Sequence, residues 1–271
     1  MTLTENFGSQ LSHFSCLYAI AKKTGHRIVF LDQYANLGRG LKFHLPFEAL
    51  PFEILDVNQL TADERIYSNY PIDLQVPVNS GVFFLDKSIN INFKGFFTSY
   101  RYWYPIRHEI KSIIRFKADV VDKAKYLIQP LKSKGQEIVS VHIRRTDYLE
   151  NGAQAFNPSC AYYEEAFLHF PEKHFTFVIF SDDIPWCKSA FSNHPNFFYS
   201  EGNLPEVDMC AMSLCEHNII ANSTFSFWGA FLNKNASKKV ICPGKYMKTD
   251  HIITHMNYCW FPDDFIPLDA E

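Results

Sequence analysis

The chain has 271 residues, 47% of them hydrophobic and 20% charged, with a formal net charge of −3. That length suits two small domains with a sizeable core, and the composition is that of a globular protein, not a disordered one. The weak negative charge argues against general attraction to nucleic acid, and no apolar run reaches the ~18 residues that would span a membrane.

Met1-Thr2-Leu3-Thr4-Glu5 has neither the basic nor the apolar region of a signal peptide, so a cytoplasmic location is expected. The seven cysteines are irregularly spaced and form no C-x-x-C pair. They indicate neither a disulfide framework nor a zinc ribbon. Buried thiols are the expected reading even at Cys210 and at Cys215-Glu216-His217, where metal ligands could be imagined. The 26 Phe and 14 Tyr fit an aromatic core; platforms for sugar rings are the functional alternative.

In chain order, Leu11 to Lys23 has helical apolar spacing, Gly25 supplies a stop, and Arg27 to Leu31 reads as a buried strand. Residues 36–100 are rich in Pro and Asn, with strand-like runs at 82–85 and 93–97. Tyr104-Pro105 opens a helical stretch toward Leu131. After Gly135 strands are predicted at 137–143, 175–180, 196–199, 218–221 and 239–242. Helices are predicted from Asn157-Pro158-Ser159 and over 186–191, 208–215 and 225–232. Such alternation implies a parallel sheet with covered faces and ligands at the carboxyl ends of its strands. The expected division is therefore 1–135, an acceptor-side α/β domain, and 136–271, a Rossmann-like nucleotide-binding domain.

Three polar clusters fall at predicted strand ends. The first is His142, Arg144 and Arg145 with Asp147; alternation sends His142 and Arg144 to one face and Arg145 to the other. An arginine fork matches phosphate oxygens and stays charged. The plain alternative is an Arg–Asp ion pair. The second is Ser181-Asp182-Asp183 with Trp186 and Lys188, which reads as a helix cap, with Asp182 able to orient a site residue. The third is Asp208 with Ser213, His217, Asn222, Ser223, Thr224 and Ser226. Hydroxyls and amides at a helix start suit an anion, or simply cap the helix. Asp208 could accept from a guanine edge or serve as a cap. There is no P-loop and no Asp-x-Asp, so no metal is expected. A diphosphate leaving group would then need cationic and N–H donors.

His142-Ile143-Arg144-Arg145-Thr146-Asp147-Tyr148 resembles the first motif of the α-1,2-fucosyltransferase family, glycosyltransferase family eleven. Phe180 to Lys188 resembles its second motif, and Asp208 through Ala230 its third, in order and at suitable spacing. The resemblance implies an α/β, GT-B-like fold of two Rossmann-like domains with a cleft between them. It also implies GDP-β-L-fucose as donor, inversion, no metal, and transfer to the 2-hydroxyl of a galactoside. Carried over, Arg144 matches the arginine on the β-phosphate, His142 and Asp208 match positions near guanosine, and Ser223, Thr224 and Ser226 match the hydroxyls supporting the diphosphate. Arg145, Asp182 and Asn222 join the expected donor set; Asp147, then Glu150, are the candidate bases. Gly8, Ser9 and Gln10 stand where the family has a cleft loop, but with Ser9 in place of its Asn, which puts acceptor preference in question. The partners implied are GDP-fucose and a glycan acceptor, without nucleic acid or a transmembrane segment; peripheral contact with a membrane is compatible with this reading. A transferase with another acceptor or linkage, or a silent GDP-sugar or glycan binder, is the alternative.

Overall fold

The computed structural model describes residues 7–31, 44–55, 68–71, 83–94, 99–132, 135–149, 157–171, 174–194, 196–245 and 261–269. The chain forms two compact units, one running to Arg115 and the other beginning at Phe116. The division thus falls before the helix at 118–132, not after it as expected, because that helix packs on a helix of the second unit. Among the described residues no helix is long and apolar enough to cross a membrane.

In the first unit α1 (Phe7–Thr24) is followed by β1 (Val29–Leu31), which pairs in parallel with β2 (Glu53–Leu55). A second parallel pair joins β3 (Ser68–Pro71) to β4 (Ile91–Lys94). Gly25 takes φ 79°, a conformation that favours glycine, and ends α1 as its position predicts. Phe30 and Phe14 pack on Phe52 with ring centroids 5.0 and 5.6 Å away, so here the aromatic excess builds core. Gly8, Ser9 and Gln10 lie in the first turn of α1, not in a loop. Helical backbonding continues through that turn: Ser12 Oγ donates to the Gly8 carbonyl at 3.2 Å. Phe83 and Phe84 lie in a short 3-10 turn, not a strand. The predicted helix from 104 is broken: α2 (Arg107–Ile113) ends at Ile114, whose ψ of 89° leaves the helical region, and α3 (Ala118–Lys132) starts afresh.

The second unit holds β5 (Glu137–Ile143), β6 (Phe175–Ser181), β7 (Phe197–Tyr199), β8 (His217–Ile219), β9 (Val240–Pro243) and β10 (Ile266–Leu268). They form one six-stranded sheet in the order β10-β9-β8-β5-β6-β7, with parallel pairing throughout. The chain winds outward from β5 to β7, then returns past β5 to β8 and winds the other way. This is the doubly wound topology, and its switch point lies between β5 and β8. The strand β10 and the one-turn helix α4 (Thr146–Leu149) were not among the predicted elements.

Every residue of β5 from Ile138 to Ile143 is buried, as expected of a central strand covered on both faces. Connections are made by α5 (Cys160–Phe167), α6 (Ile184–Ala190), α7 (Pro205–Leu214) and α8 (Thr224–Leu232). The cap of α5 is Ser159, whose Oγ accepts from the Tyr162 N–H, so the helix starts at the end of the Asn157-Pro158-Ser159 segment. Phe167 meets Phe177 and Phe197 edge-on at 5.2 and 5.0 Å. A Cβ on Gly229 would stand 2.9 Å from Met212 Cβ, so glycine lets α8 lie close against α7. Inside the fold, Asn218 Nδ2 donates to Ser140 Oγ at 2.6 Å and to the Met212 carbonyl at 2.9 Å. Asn233 Nδ2 in turn donates to Asn218 Oδ1 at 2.8 Å.

Candidate active site

Strands β8, β5 and β6 are neighbours and point the same way, so their carboxyl ends lie side by side at the switch point. All three polar clusters send residues to this edge.

Arg144 follows the last residue of β5 and is partly buried. Its Nε donates to Asp147 Oδ1 and its Nη2 to Asp147 Oδ2, both at 2.8 Å, a two-point fork. Nη1 lies 3.2 Å from Asp182 Oδ2 at the end of β6. Burial works against its charge, but Asp147 and Asp182 outweigh that, so the guanidinium pKa is raised. Two carboxylates thus fix the direction of one cation and leave it further N–H donors for an anion.

Asp182 also accepts the Arg145 backbone N–H at 2.9 Å and the Thr146 hydroxyl at 2.6 Å. It therefore orients the turn after β5, as its position suggested. Asp183, not Asp182, caps α6, accepting the Trp186 N–H at 3.2 Å.

Arg145 turns the other way, as alternation requires. Its Nε donates to Asp183 Oδ2 at 3.2 Å and its guanidinium carbon lies 3.5 Å from the centre of the Trp186 ring. These contacts give Arg145 an ion pair with Asp183 and a stacking role against α6.

His142 is buried, and its ring lies 5.4 Å from that of Phe225 at the start of α8. Among the described residues its Nδ1 has no hydrogen-bond partner. Burial, aided by Arg144, holds its pKa down to about 3, so the ring is neutral at ordinary pH.

On the other side of β5, Ser223 caps α8, with its Oγ accepting the Phe225 N–H at 3.3 Å. Ser226 is buried and its hydroxyl faces the Ala221 and Ser223 carbonyls at 3.3 and 3.2 Å, so it braces the turn and does not face outward. Thr224 opens the helix and is half-buried, and Asn222 is fully buried. The positive end of the α8 dipole thus joins Arg144 at the same edge.

Asp208 sits in the first turn of α7. Its Oδ1 accepts from Ser200 Oγ at 2.6 Å, and Asn203 Nδ2 donates to that hydroxyl at 2.9 Å. Burial pushes its pKa up to about 6, against the opposing effect of Ser200. Glu150 lies outside the described residues.

Several residues of the motifs belong elsewhere. His217 begins β8, at the far end from the site; its Nδ1 accepts the Lys239 N–H at 2.9 Å and its Nε2 lies 3.1 Å from Glu137. Ser213 donates to the Cys210 carbonyl. Cys210 and Cys215 are buried thiols whose pKa values burial raises, and among the described residues no His, Cys, Asp and Glu cluster could hold a metal. Conversely, Thr146, Tyr148 and Ser200 contribute contacts that residue type alone did not announce. Tyr148 OH donates to the Asn222 carbonyl at 2.7 Å. Its place beside Asp147 in the first motif was the available signal.

Comparison with known proteins adds independent findings. The family model described as Glycosyl transferase family 11 matches residues 75–257. The O-antigen biosynthesis glycosyltransferase WbnK of Escherichia coli is 41% identical over 115 residues, which are 40% of this chain and 38% of that protein. An alpha-1,2-colitosyltransferase of Escherichia coli is 33% identical over 172 residues, 60% of this chain and 58% of that protein. Galactoside alpha-(1,2)-fucosyltransferase 1 of Leontocebus fuscicollis is 26% identical over 247 residues, 83% of this chain and 63% of that protein. The chain therefore spans between 38% and 63% of the length of these relatives. Among solved structures, the NodZ alpha-1,6-fucosyltransferase soaked with GDP-fucose superposes with a TM-score of 0.59 at 16% identity, over 85% of this chain and 90% of that one. That likeness is one of fold, and the fold is α/β and GT-B-like.

Proposed function

The chain belongs to glycosyl transferase family 11, and on that premise we propose that it transfers L-fucose from GDP-β-L-fucose to a glycan hydroxyl. The acceptor position we propose is the 2-hydroxyl of a galactoside, giving an α-1,2 linkage with inversion and without a metal. The observation that carries this is Arg144, aimed by Asp147 and Asp182 beside the start of α8. A displacement that expels GDP without a metal requires fixed positive charge where the diphosphate charge develops. Arg144 and the α8 dipole supply it. Asp208, with its second oxygen, accepts from the guanine edge, and neutral His142 supports the site from beneath, its ring packed against Phe225 at the start of α8.

The acceptor hydroxyl needs a base. In this structure both oxygens of Asp147 are taken by Arg144, so Asp147 serves first as the holder of that arginine. To act as the base it must turn the remaining lone pair of one oxygen to the acceptor hydroxyl, with its basicity lowered by the bonded guanidinium unless the diphosphate draws the fork away. Glu150 is the second candidate.

A transfer of colitose is the one other reading with an observation behind it, the 33% identity to an alpha-1,2-colitosyltransferase. The test is a thermal-shift screen with GDP, GDP-fucose and UDP, followed by transfer assays with both GDP-sugars and linkage analysis of the product. Stabilisation by GDP and GDP-fucose but not UDP is the expected result. Equal shifts with UDP, or a product linkage other than 1,2, would overturn the corresponding part of the proposal.

A further inference from the structure

The two sides of β5 are tied to their neighbours in different ways. Toward β6, strand pairing continues to Ile143 and Ser181, and Asp182 then carries it on by accepting from Arg145 and Thr146. Toward β8, pairing stops at Val141 and Ile219. Beyond that point the His142 carbonyl accepts the Tyr163 hydroxyl at 3.2 Å, while the Ile220 N–H, on the other edge of its strand, bonds to Ile241 of β9. Among the described residues, strand pairing between the segment that ends in Arg144 and the segment that leads to Ser223 goes no further than Val141 and Ile219. Yet these are the two segments that bring positive charge to the proposed diphosphate site, one through a guanidinium and one through a helix start.

The Tyr148 side chain crosses this gap. Its hydroxyl donates to the Asn222 carbonyl at 2.7 Å, immediately before the cap residue Ser223. Its ring also faces the Arg144 guanidinium, with 5.9 Å between the guanidinium carbon and the ring centre. We infer that Tyr148 is a positioning residue that latches the Arg144 turn to the start of α8, setting the span across which a nucleoside diphosphate is gripped. The inference rests on the donor reading above. Burial pushes the phenol pKa up to about 12, so the hydroxyl remains a donor over the working pH range. Phenylalanine would keep the ring against Arg144 and lose only the latch.

The test is Tyr148→Phe in the full chain, with GDP and guanosine binding measured by calorimetry or by competition, and thermal unfolding measured alongside. Losing one hydrogen bond that orders both segments predicts GDP binding about threefold to tenfold weaker. Guanosine, which lacks the phosphates, keeps its affinity within about twofold on the same reasoning. The melting temperature stays near that of the parent. Hydrogen exchange provides a second readout: amides from 220 to 226 exchange faster in the variant, while those of β6 do not. Unchanged GDP affinity, or equal weakening toward GDP and guanosine with a fall in melting temperature, overturns the latch. A parent protein that binds neither ligand overturns the donor reading itself, and the latch with it.

Discussion

Replacing Arg144 and Arg145 separately by alanine should give opposite results, because the two neighbours have different surroundings. The Arg144 side chain is 28% exposed and that of Asp147 50%, so their pair is screened by water and contributes ~0–1 kcal/mol to stability. After its loss Asp182 still holds the Arg145 N–H and the Thr146 hydroxyl, so no buried acceptor is orphaned. Arg144→Ala should thus melt within a few degrees of the parent. Its effect on transfer should be far larger. Removing a fixed donor from a developing oxyanion typically costs ~3–4 kcal/mol, a loss of ~100- to 1000-fold in turnover. Arg145→Ala removes a guanidinium stacked 3.5 Å above Trp186 and bonded to the cap residue Asp183. That should cost ~1–2 kcal/mol of stability, with a much smaller effect on GDP affinity. Differential scanning fluorimetry and steady-state transfer kinetics on both variants decide the matter. Near-normal turnover by Arg144→Ala would refute the phosphate role, and a larger kinetic loss in Arg145→Ala than in Arg144→Ala would show that the two roles are exchanged.

Asp147→Asn should weaken GDP binding about tenfold together with turnover, since the amide cannot accept the fork at both points; calorimetry showing normal GDP binding with no transfer would instead make Asp147 the base. The carboxyl of Asp208, raised to about 6, must be ionised to accept from guanine, so GDP affinity should fall as pH drops through 6, with Asp208→Asn flat over that window. The same raised pKa means the fold binds this proton more tightly than the unfolded chain, so this group's contribution to stability falls as pH rises from ~4 to ~6 and then levels off; a pH series of melting curves on the parent and Asp208→Asn reads that difference. Asn218→Ala removes bonds to Ser140 and Met212 and leaves an Asn233 donor without its acceptor, so it should cost ~2–4 kcal/mol by chemical denaturation, while a cost under ~1 kcal/mol would mean the network is not what ties β5, α7 and α8 together.

The second unit was readable because its central strands β5 and β6 are buried along nearly their whole length and appear in the sequence as mainly apolar stretches, from Ile138 to Ile143 with Ser140 and His142 between the aliphatic residues, and from Thr176 to Phe180. Its strand ends then had to be where polar residues collect. The short strand Ile266–Leu268 escaped notice because Pro267 sits in its middle, which a sequence reading takes as a mark against a strand. At an outer position of the sheet that proline is tolerated. The first unit was less readable for a related reason. Its described strands have only three or four residues, too few for alternation to show.

Within the site, legibility stopped at a different level. Residue type and spacing brought Arg144, Asp182, Asp208 and Ser223 to one edge, but they did not tell a group that faces a ligand from one that faces its neighbour. The third motif makes the reason concrete. Strand β8 carries the chain from His217 to Ile219, and a bend at Asn222 follows three residues later. One uninterrupted motif therefore begins at the far edge of the sheet, with a histidine bonded to Lys239 and Glu137, and ends beside the proposed diphosphate. The same holds for Arg144 and Arg145, adjacent in sequence yet committed to opposite sides of the turn. Side-chain direction decides the role in both cases, and direction depends on partners distant in the chain: Asp182 and Asp183, 38 positions on, for the two arginines, and Lys239 and Glu137, 22 and 80 positions away, for the histidine. A motif of this fold is thus a record of two demands on one segment: holding the sheet together and presenting charge at its end.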